Sequence, residues 1–210
     1  MSQFEAASEA YATLGINVSD AIALASSVPI SVHCWQADDV RGFEPRAGEL
    51  GSGGILATGG HPGAARSPQE LRQDYERVFA LCPGKHRANL HAMYADPQSG
   101  HPDRDELTPS DFASWIDWAR QREVGLDFNP TYFAHRLADS GATLSSADPG
   151  IRGFWIGHGI ASRKIAQAMA AGVPCCDGFS VNNHWTPDGA KDSPCDRWSP
   201  RERLVSAYDE

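Results

Sequence analysis

The sequence lacks long apolar segments and runs of positive charge. Its 18 lysines and arginines never stand more than two in a row, and 27 acidic residues give a net charge of −9. This balance offers no electrostatic footprint for nucleic acid or an anionic membrane. No stretch approaches the ~20 consecutive apolar residues of a membrane-spanning helix. The N-terminus has neither the basic start nor the apolar middle of a signal peptide. We therefore predict a cytoplasmic protein with neither nucleic acid nor membrane as a partner.

Cysteine is sparse and follows no recognisable pattern. The five cysteines include one adjacent pair and no C-x-x-C spacing, which argues against a disulfide framework and against a thiolate zinc site. The sequence also contains no H-E-x-x-H and no H-x-H, so no metal site can be assembled from it. His33 precedes Cys34, but neighbouring side chains on a strand point to opposite faces, so the two are not expected to form a catalytic pair.

Helix starts, in contrast, are clearly marked. Ser67, Pro68 and Glu70 combine a capping serine, a proline at the first helical position and an acidic residue three positions after the cap. Comparable signals begin at three further positions, Thr108, Asp148 and Ser199. Each predicts a helix, and a further helix is predicted at the N-terminus over residues 4–14.

Four short apolar runs, too brief for helices, complete the pattern at residues 29–35, 87–94, 124–129 and 179–185. Strands that alternate with helices predict βαβ units and a parallel sheet. We therefore predict the α/β class, with the first four β/α units of a (β/α)8 TIM-type barrel preceded by an N-terminal helix. Residues 1–210 are expected to be the N-terminal half of one barrel domain, a fragment with an incomplete barrel and an uncovered inner face.

Residues 41–66 form a long glycine-rich stretch without apolar periodicity. We interpret it as a loop that follows the first strand and serves a site, although a linker between domains is an alternative. Its cluster Gly51-Ser52-Gly53-Gly54 does not directly follow a strand and is not followed by Lys-Ser or Lys-Thr, so it is not a phosphate-binding loop.

Polar and aromatic side chains collect where the predicted strands end. The residues in question are His33, Trp35, Asp38, Asp39, His91, Tyr94, Asp127, Asn129, Tyr132, Phe133, Asn183, His184, Trp185, Asp188 and Lys191. In a parallel barrel the active site is built at the C-terminal ends of the strands. Taken together, these residues predict a polar, aromatic-lined pocket for a small molecule.

Each of these residues also has a purely structural interpretation. His33 and His91 fit core histidines with satisfied hydrogen bonds, and Trp35 and Trp185 fit ordinary core aromatics. Asp127 fits the cap of a helix or turn. Asp188 precedes a glycine, and Asp-Gly is typical of turns.

Several of these stretches resemble bacterial L-rhamnose isomerases. The resemblance lies in the sequences HCWQADDVRGFE at 33–44, NLHA at 89–92, GLDFNP at 125–130 and WTPDGAKD at 185–192. It continues in the same order along the whole chain, and the first and last of these motifs are distinctive.

The resemblance implies a cytoplasmic, metal-dependent aldose–ketose isomerase that interconverts L-rhamnose and L-rhamnulose. Members of that family are (β/α)8 barrels of roughly twice this length, usually homotetramers, and typically use Mn²⁺. Their metal ligands and catalytic groups lie on later strands, so none is expected before Glu210. By resemblance this chain supplies the substrate-binding wall, formed by Trp35, His91, Phe133 and Trp185, with Asp188 and Lys191 in the shared fourth-strand motif.

The chain alone is accordingly expected to be inactive. One alternative is a non-catalytic sugar-binding or scaffolding half-barrel, which would bind the sugar without turnover. Another is a related barrel isomerase that acts on a different deoxy-sugar, because pocket walls alone do not fix the identity of the sugar.

Overall fold

The computed structural model describes residues 2–33, 42–44, 65–184, 186–188 and 196–210. Along the chain its helices and strands are α1 (Gln3–Ala12), α2 (Val18–Ser27), β1 (Ile30–His33), α3 (Pro68–Leu81), β2 (His86–His91), α4 (Ala113–Arg122), β3 (Gly125–Asn129), α5 (Pro149–Gly172) and α6 (Trp198–Asp209). Five short 3₁₀ turns lie at Ala92–Tyr94, Arg104–Glu106, Pro109–Phe112, Arg136–Ala138 and Pro174–Cys176. Within the described ranges, no helix is both long and apolar enough to cross a bilayer.

Two helices precede the first strand, where the sequence analysis expected one. The predicted helix over 4–14 is α1, and it gives way to a turn in which Gly15 adopts a φ of +76°. Asn17 then starts α2, because its side-chain oxygen accepts hydrogen bonds from the N–H groups of Ser19 and Asp20. No residue of α1 or α2 is buried.

The three strands form a parallel sheet in the order β1-β2-β3. The predicted fourth strand over 179–185 is reduced, in the described part of that segment, to a single parallel bridge between Asn182 and Phe128. Two hydrogen bonds of 2.8 Å make this bridge, from the Phe128 N–H to the Val181 carbonyl and from the Asn183 N–H to the Phe128 carbonyl. The fourth segment therefore runs parallel beside β3 without extending into a ladder.

The predicted helix starts hold at two positions and are shifted at two others. Ser67 and Asp148 cap α3 and α5 as expected. Thr108 opens a 3₁₀ turn, and α4 begins only at Ala113. The helix predicted at Ser199 is present as α6, but it begins one residue earlier, at Trp198, and its cap is the Asp196 carboxylate, which accepts hydrogen bonds from the N–H groups of residues 198 and 199.

One face of the sheet carries the core. Alternate side chains of a strand point to opposite faces, and the apolar face is formed by Val32, Ala88, Leu90, Leu126 and Phe128. Helices α3, α4 and α5 cover it with aromatic and aliphatic side chains. Phe112, for example, meets Phe128 edge to face at 5.1 Å between ring centroids, a geometry typical of packed aromatic pairs.

Candidate functional site

The opposite face of the same strands is polar. The polar face consists of Ser31 and His33 on β1, Arg87, Asn89 and His91 on β2, and Gly125, Asp127 and Asn129 on β3. The register places His33 beside Asn89, and Asn89 beside Asp127. The β2 and β3 members are buried, and their polar residues have exposed fractions of at most 4%. The expectation of an uncovered inner face is therefore wrong for these two strands.

An ion pair joins the two buried strands of the polar face. The Asp127 carboxylate accepts hydrogen bonds from Arg87 Nε and Nη2 at 2.9 and 2.8 Å. It also accepts from Ser31 Oγ at 2.6 Å and from the Val181 N–H at 2.9 Å. Burial alone would raise the pKa of this carboxyl, but these donors outweigh burial and hold the pKa below its usual value. Asp127 is thus a strand residue that links four segments, and the interpretation of it as a cap is wrong.

Gly125 makes the ion pair sterically possible. A Cβ atom at this position would lie 2.8 Å from Arg87 Nη1 and 2.9 Å from Arg87 Cγ. The absence of a side chain at residue 125 lets the arginine lie flat across β3 and reach Asp127.

Asn89 lies beside Asp127 but takes no part in this network. Its side chain is fully buried, and neither its amide oxygen nor its amide nitrogen has a hydrogen-bond partner among the described residues. A buried amide without partners costs about 1–3 kcal/mol, so Asn89 lowers the free energy of unfolding.

His91 stands at the carboxyl end of β2, in the position predicted for a pocket residue. Its Nδ1 lies 3.0 Å from Thr131 Oγ1, and its ring packs edge-on against Tyr94 and Phe133, with centroids 5.1 and 6.1 Å away. Burial lowers the pKa of His91 to about 3, and the nearby His33 and Arg104 act in the same direction. The imidazole is therefore neutral at physiological pH.

The loop after β3 is held by Arg104, a residue that the sequence analysis did not select. Its guanidinium donates to both carboxylate oxygens of Glu44, at 2.8 and 2.9 Å. It also donates to the main-chain carbonyls of Thr131, Phe133 and Ala134. Such a bidentate pair has fixed geometry, so it sets where the loop carries Phe133. The signal in the sequence is weak, because Arg104 and Glu44 are 60 residues apart and neither stands in an α-helix or a strand.

His158 on α5 supports the same loop from behind. Its two ring nitrogens lie 2.8 Å from the Arg104 carbonyl and 2.5 Å from the Pro130 carbonyl. Burial lowers the pKa of His158 to about 4, and the charge of Arg104 adds to the effect. A neutral imidazole donates only one N–H, so just one of these two carbonyls receives a hydrogen bond from it.

The predicted site residues divide into three groups. His91 and Phe133 meet at the carboxyl ends of β2 and β3. Asp188 lies in a turn, where its carboxylate accepts from the N–H and hydroxyl groups of Thr143 and Ser145. Although burial alone would raise the pKa of Asp188, these four hydrogen bonds hold it below its usual value. The remaining three residues, Trp35, Trp185 and Lys191, lie outside the described residues.

A metal ion finds no site in the described part of the chain. No group of three or more His, Cys, Asp or Glu side chains there is arranged to hold one. The carboxylates nearest to the site, Asp127 and Glu44, are already paired with arginines. The described residues therefore do not fit a metal, and no chemical step through one is derived.

The fold and this site define an α/β protein in which parallel strands deliver buried polar side chains to one edge of the sheet. A sequence-family model for L-rhamnose isomerase (RhaA) matches residues 1–210. The chain is 52% identical over 208 residues to an L-rhamnose isomerase of Rhodopirellula baltica, with 98% of this chain and 47% of the relative covered. It is 46% identical over 208 residues to one from Listeria monocytogenes, and 49% identical over 207 residues to one from Mannheimia succiniciproducens, with 99% of this chain and 48% of each relative covered.

This chain belongs to the L-rhamnose isomerase family. It spans about half the length of the curated relatives that it matches.

Proposed function

We propose that this chain takes part in the isomerisation of L-rhamnose to L-rhamnulose, and that residues 1–210 supply the first four β/α units of a (β/α)8 barrel. The observation that carries the proposal is the family match over residues 1–210. The parallel β1-β2-β3 sheet, with helices against its apolar face and polar side chains on the other, supports the barrel architecture.

The electrostatics of the site favour an uncharged sugar over a sugar phosphate. Among the described residues, the two arginines buried near the site are neutralised, Arg87 by Asp127 and Arg104 by Glu44. His91 is uncharged at neutral pH because burial lowers its pKa to about 3. A phosphate group needs unpaired cations or several free N–H donors, whereas a sugar hydroxyl is matched by a neutral imidazole and an aromatic edge such as that of Phe133.

The remaining parts of the proposal follow from the family resemblance. Trp35, His91, Phe133, Trp185, Asp188 and Lys191 are proposed to contact the sugar. Mn²⁺ is the proposed metal, with its ligands and the catalytic groups in the part of the family's length that this chain does not span. The proposed assembly is a homotetramer in the cytoplasm.

Complementation of the two halves tests this function. The chain is co-expressed with the second half of the Rhodopirellula baltica relative, and L-rhamnulose formation is measured with Mn²⁺. We expect turnover from the co-purified pair and none from either half alone. His91→Ala should reduce turnover at least about tenfold, as for a lost hydrogen bond and aromatic contact at the sugar. His101→Ala, at an exposed histidine, is the matched control and should leave turnover unchanged.

Turnover by the 210-residue chain alone would overturn the proposed division of labour between the halves. Co-purified halves without turnover, but with L-rhamnose binding in saturation-transfer NMR, would favour a sugar-binding or scaffolding half-barrel. A preference for L-fucose over L-rhamnose in the same assays would instead favour a related isomerase for another deoxy-sugar.

A further inference from the structure

Three main-chain carbonyls of the loop after β3 converge on one side chain. The carbonyl oxygens of Thr131, Phe133 and Ala134 all accept hydrogen bonds from the Arg104 guanidinium, at 2.7 Å for Phe133 and 3.2 Å for Ala134. Thr131 and Ala134 have φ values of +60° and +53°, which are costly for residues other than glycine. The guanidinium therefore holds the loop in a conformation that the residue types of the loop disfavour.

The Arg104 guanidinium uses every hydrogen-bond donor that it has. Of its five N–H groups, the two on Nη1 donate to the carbonyls of Thr131 and Phe133. Nη2 donates to the Ala134 carbonyl and to Glu44 Oε2, and Nε donates to Glu44 Oε1. Arg104 is only 1% exposed, so water does not replace a lost partner. A lysine has three donors on a single nitrogen and cannot span Glu44 and the loop at once.

Glu44 is held in place by its own chain neighbours. The Phe43 N–H donates to the Met93 carbonyl at 2.8 Å. Gly42 has a φ of +62°, and a Cβ atom there would lie 2.5 Å from Met93 Cβ and from the Met93 carbonyl oxygen, so this close approach requires glycine. These three residues are thus fixed on the segment after β2, and the ion pair with Arg104 connects them to the loop after β3.

We infer that Glu44 and Arg104 are a pair of positioning residues: without touching the sugar, they fix the Phe133 ring through the loop after β3 and so set the affinity of the site for the sugar. The pair acts on the backbone of Phe133 itself, since its carbonyl is one of the three acceptors. The contact of Phe133 with a sugar rests on the proposed function. The fixing of its ring rests on the hydrogen bonds alone.

Stability alone does not account for this pair. Desolvation of two buried charges offsets their attraction, so apolar side chains of similar volume are often equally stabilising in their place. The acceptors of Arg104 lie in the loop after β3, and in a parallel barrel such loops build the site. Misplacement of a positioned group by about 1 Å costs up to about a hundredfold in rate. The placement of the loop is therefore the property that such a pair secures.

Fluorine-19 NMR of the chain labelled with 4-fluorophenylalanine tests the fixing of Phe133. Its signal is the one that Phe133→Leu removes. We expect this signal to shift or broaden in Glu44→Gln and in Arg104→Lys, because each variant breaks the bidentate pair. Glu44→Gln keeps the size of the side chain and one acceptor oxygen, so it provides the measurement if Arg104→Lys fails to fold.

The matched control for this measurement is Glu70→Gln. It removes the charge from the Arg66–Glu70 pair, which joins neighbouring turns at the surface, with side chains 85% and 37% exposed. The Phe133 signal should be unchanged in this control. A Phe133 signal that is also unchanged in Glu44→Gln and Arg104→Lys would overturn the inference.

Kinetics of the co-purified halves with L-rhamnose supply the second measurement. We expect Glu44→Gln to raise KM about tenfold and to leave kcat within about twofold, as for the loss of binding shared by ground and transition states. In a Phe133→Leu background, Glu44→Gln should raise KM no further, because residues that act through one another are not additive. An equal rise in KM with and without Phe133, or a fall in kcat at unchanged KM, would overturn the role of the pair in affinity.

The two measurements separate this inference from the proposed function. If the Phe133 signal responds as expected while the co-purified halves neither bind nor convert L-rhamnose, the proposed function and the role in sugar affinity fail. The fixing of Phe133 by Glu44 and Arg104 then stands.

Discussion

The two faces of the same three strands solve burial in opposite ways. On the apolar face, Leu90, Leu126 and Phe128 pack against helices and need only shape and area. On the polar face, Arg87 and Asp127 are just as inaccessible, yet each polar atom requires a partner in a specific direction. Apolar packing tolerates substitution by residues of similar volume, whereas a buried ion pair becomes strongly destabilising when one partner is removed.

The two faces of the sheet contribute different things to the fold. The apolar face supplies most of the driving force, because burial of hydrocarbon is roughly proportional to area. The polar face fixes register, since a shift by one residue would place Asp127 among the apolar side chains of α3, α4 and α5. The contrast can be tested by three changes on the polar face. These are removal of the Asp127 charge, protonation of His91 at low pH, and replacement of the Asn89 amide.

The largest effect is expected when the ion pair is broken. Asp127→Ala leaves Arg87 charged and buried without its partner, and we expect a loss of about 3–5 kcal/mol in the free energy of unfolding. Urea denaturation followed by far-UV circular dichroism measures this loss. The double variant Arg87→Met with Asp127→Leu removes both charges and should recover most of the stability. A loss below about 1 kcal/mol in Asp127→Ala would mean that the pair is not buried as described.

The second-largest effect is expected at low pH, where protonation of His91 should lower the free energy of unfolding. The pKa of His91 is about 3 in the folded chain and 6.5 as the model value for an exposed histidine. Between these values the unfolded state binds a proton that the folded state does not, so stability is full above pH 6.5 and falls as the pH is lowered. At pH 5 the loss from this ring is about 2 kcal/mol, since one pKa unit corresponds to about 1.4 kcal/mol.

Urea denaturation of the chain at pH 7.5 and pH 5 checks this dependence on pH. His91→Gln removes the titrating ring and should reduce the difference between the two pH values by about 2 kcal/mol. His101→Gln, at an exposed histidine, is the control and should leave the difference unchanged. A chain that is equally stable at both pH values would contradict a buried, neutral His91.

The smallest effect is expected at Asn89, and it has the opposite sign. Asn89→Leu replaces a buried amide without partners by an apolar side chain of similar size, and we expect a gain of about 1 kcal/mol. The thermal midpoint should rise accordingly. Asn129→Leu is the matched control on the next strand, because the Asn129 amide oxygen accepts from the Thr131 N–H, and it should lose stability. A loss in both variants would place a hidden partner at Asn89.

Local signals in the sequence predicted local structure well. The three strands and the caps at Ser67 and Asp148 follow from apolar spacing and from side-chain oxygens beside free N–H groups. The missed helix α2 also had a local signal, the capping Asn17 with Asp20 three residues later. The shifted start at Ser199 shows the limit of such signals, because the Asp196 carboxylate accepts from the N–H groups of residues 198 and 199 and α6 begins at Trp198.

Only those residues of the candidate site that lie at or just after strand ends could be predicted from the sequence. His91 and Phe133 follow directly from the ends of β2 and β3. Arg104 and Thr131 could not be selected, because each acts through contacts between segments far apart in sequence or through an unusual φ. Their roles depend on tertiary geometry, which no spacing of residue types encodes.

The Ser31–Asp127 hydrogen bond has a consequence for the order of events during protein synthesis. The two residues are 96 positions apart, and β1 is the most exposed strand of the sheet. As the chain emerges from the ribosome, β1 appears long before the carboxylate that fastens it. Closing so large a loop carries an entropic cost, and the bond cannot form before β3 has been translated. The first strand to be translated therefore receives its side-chain link to β3 late.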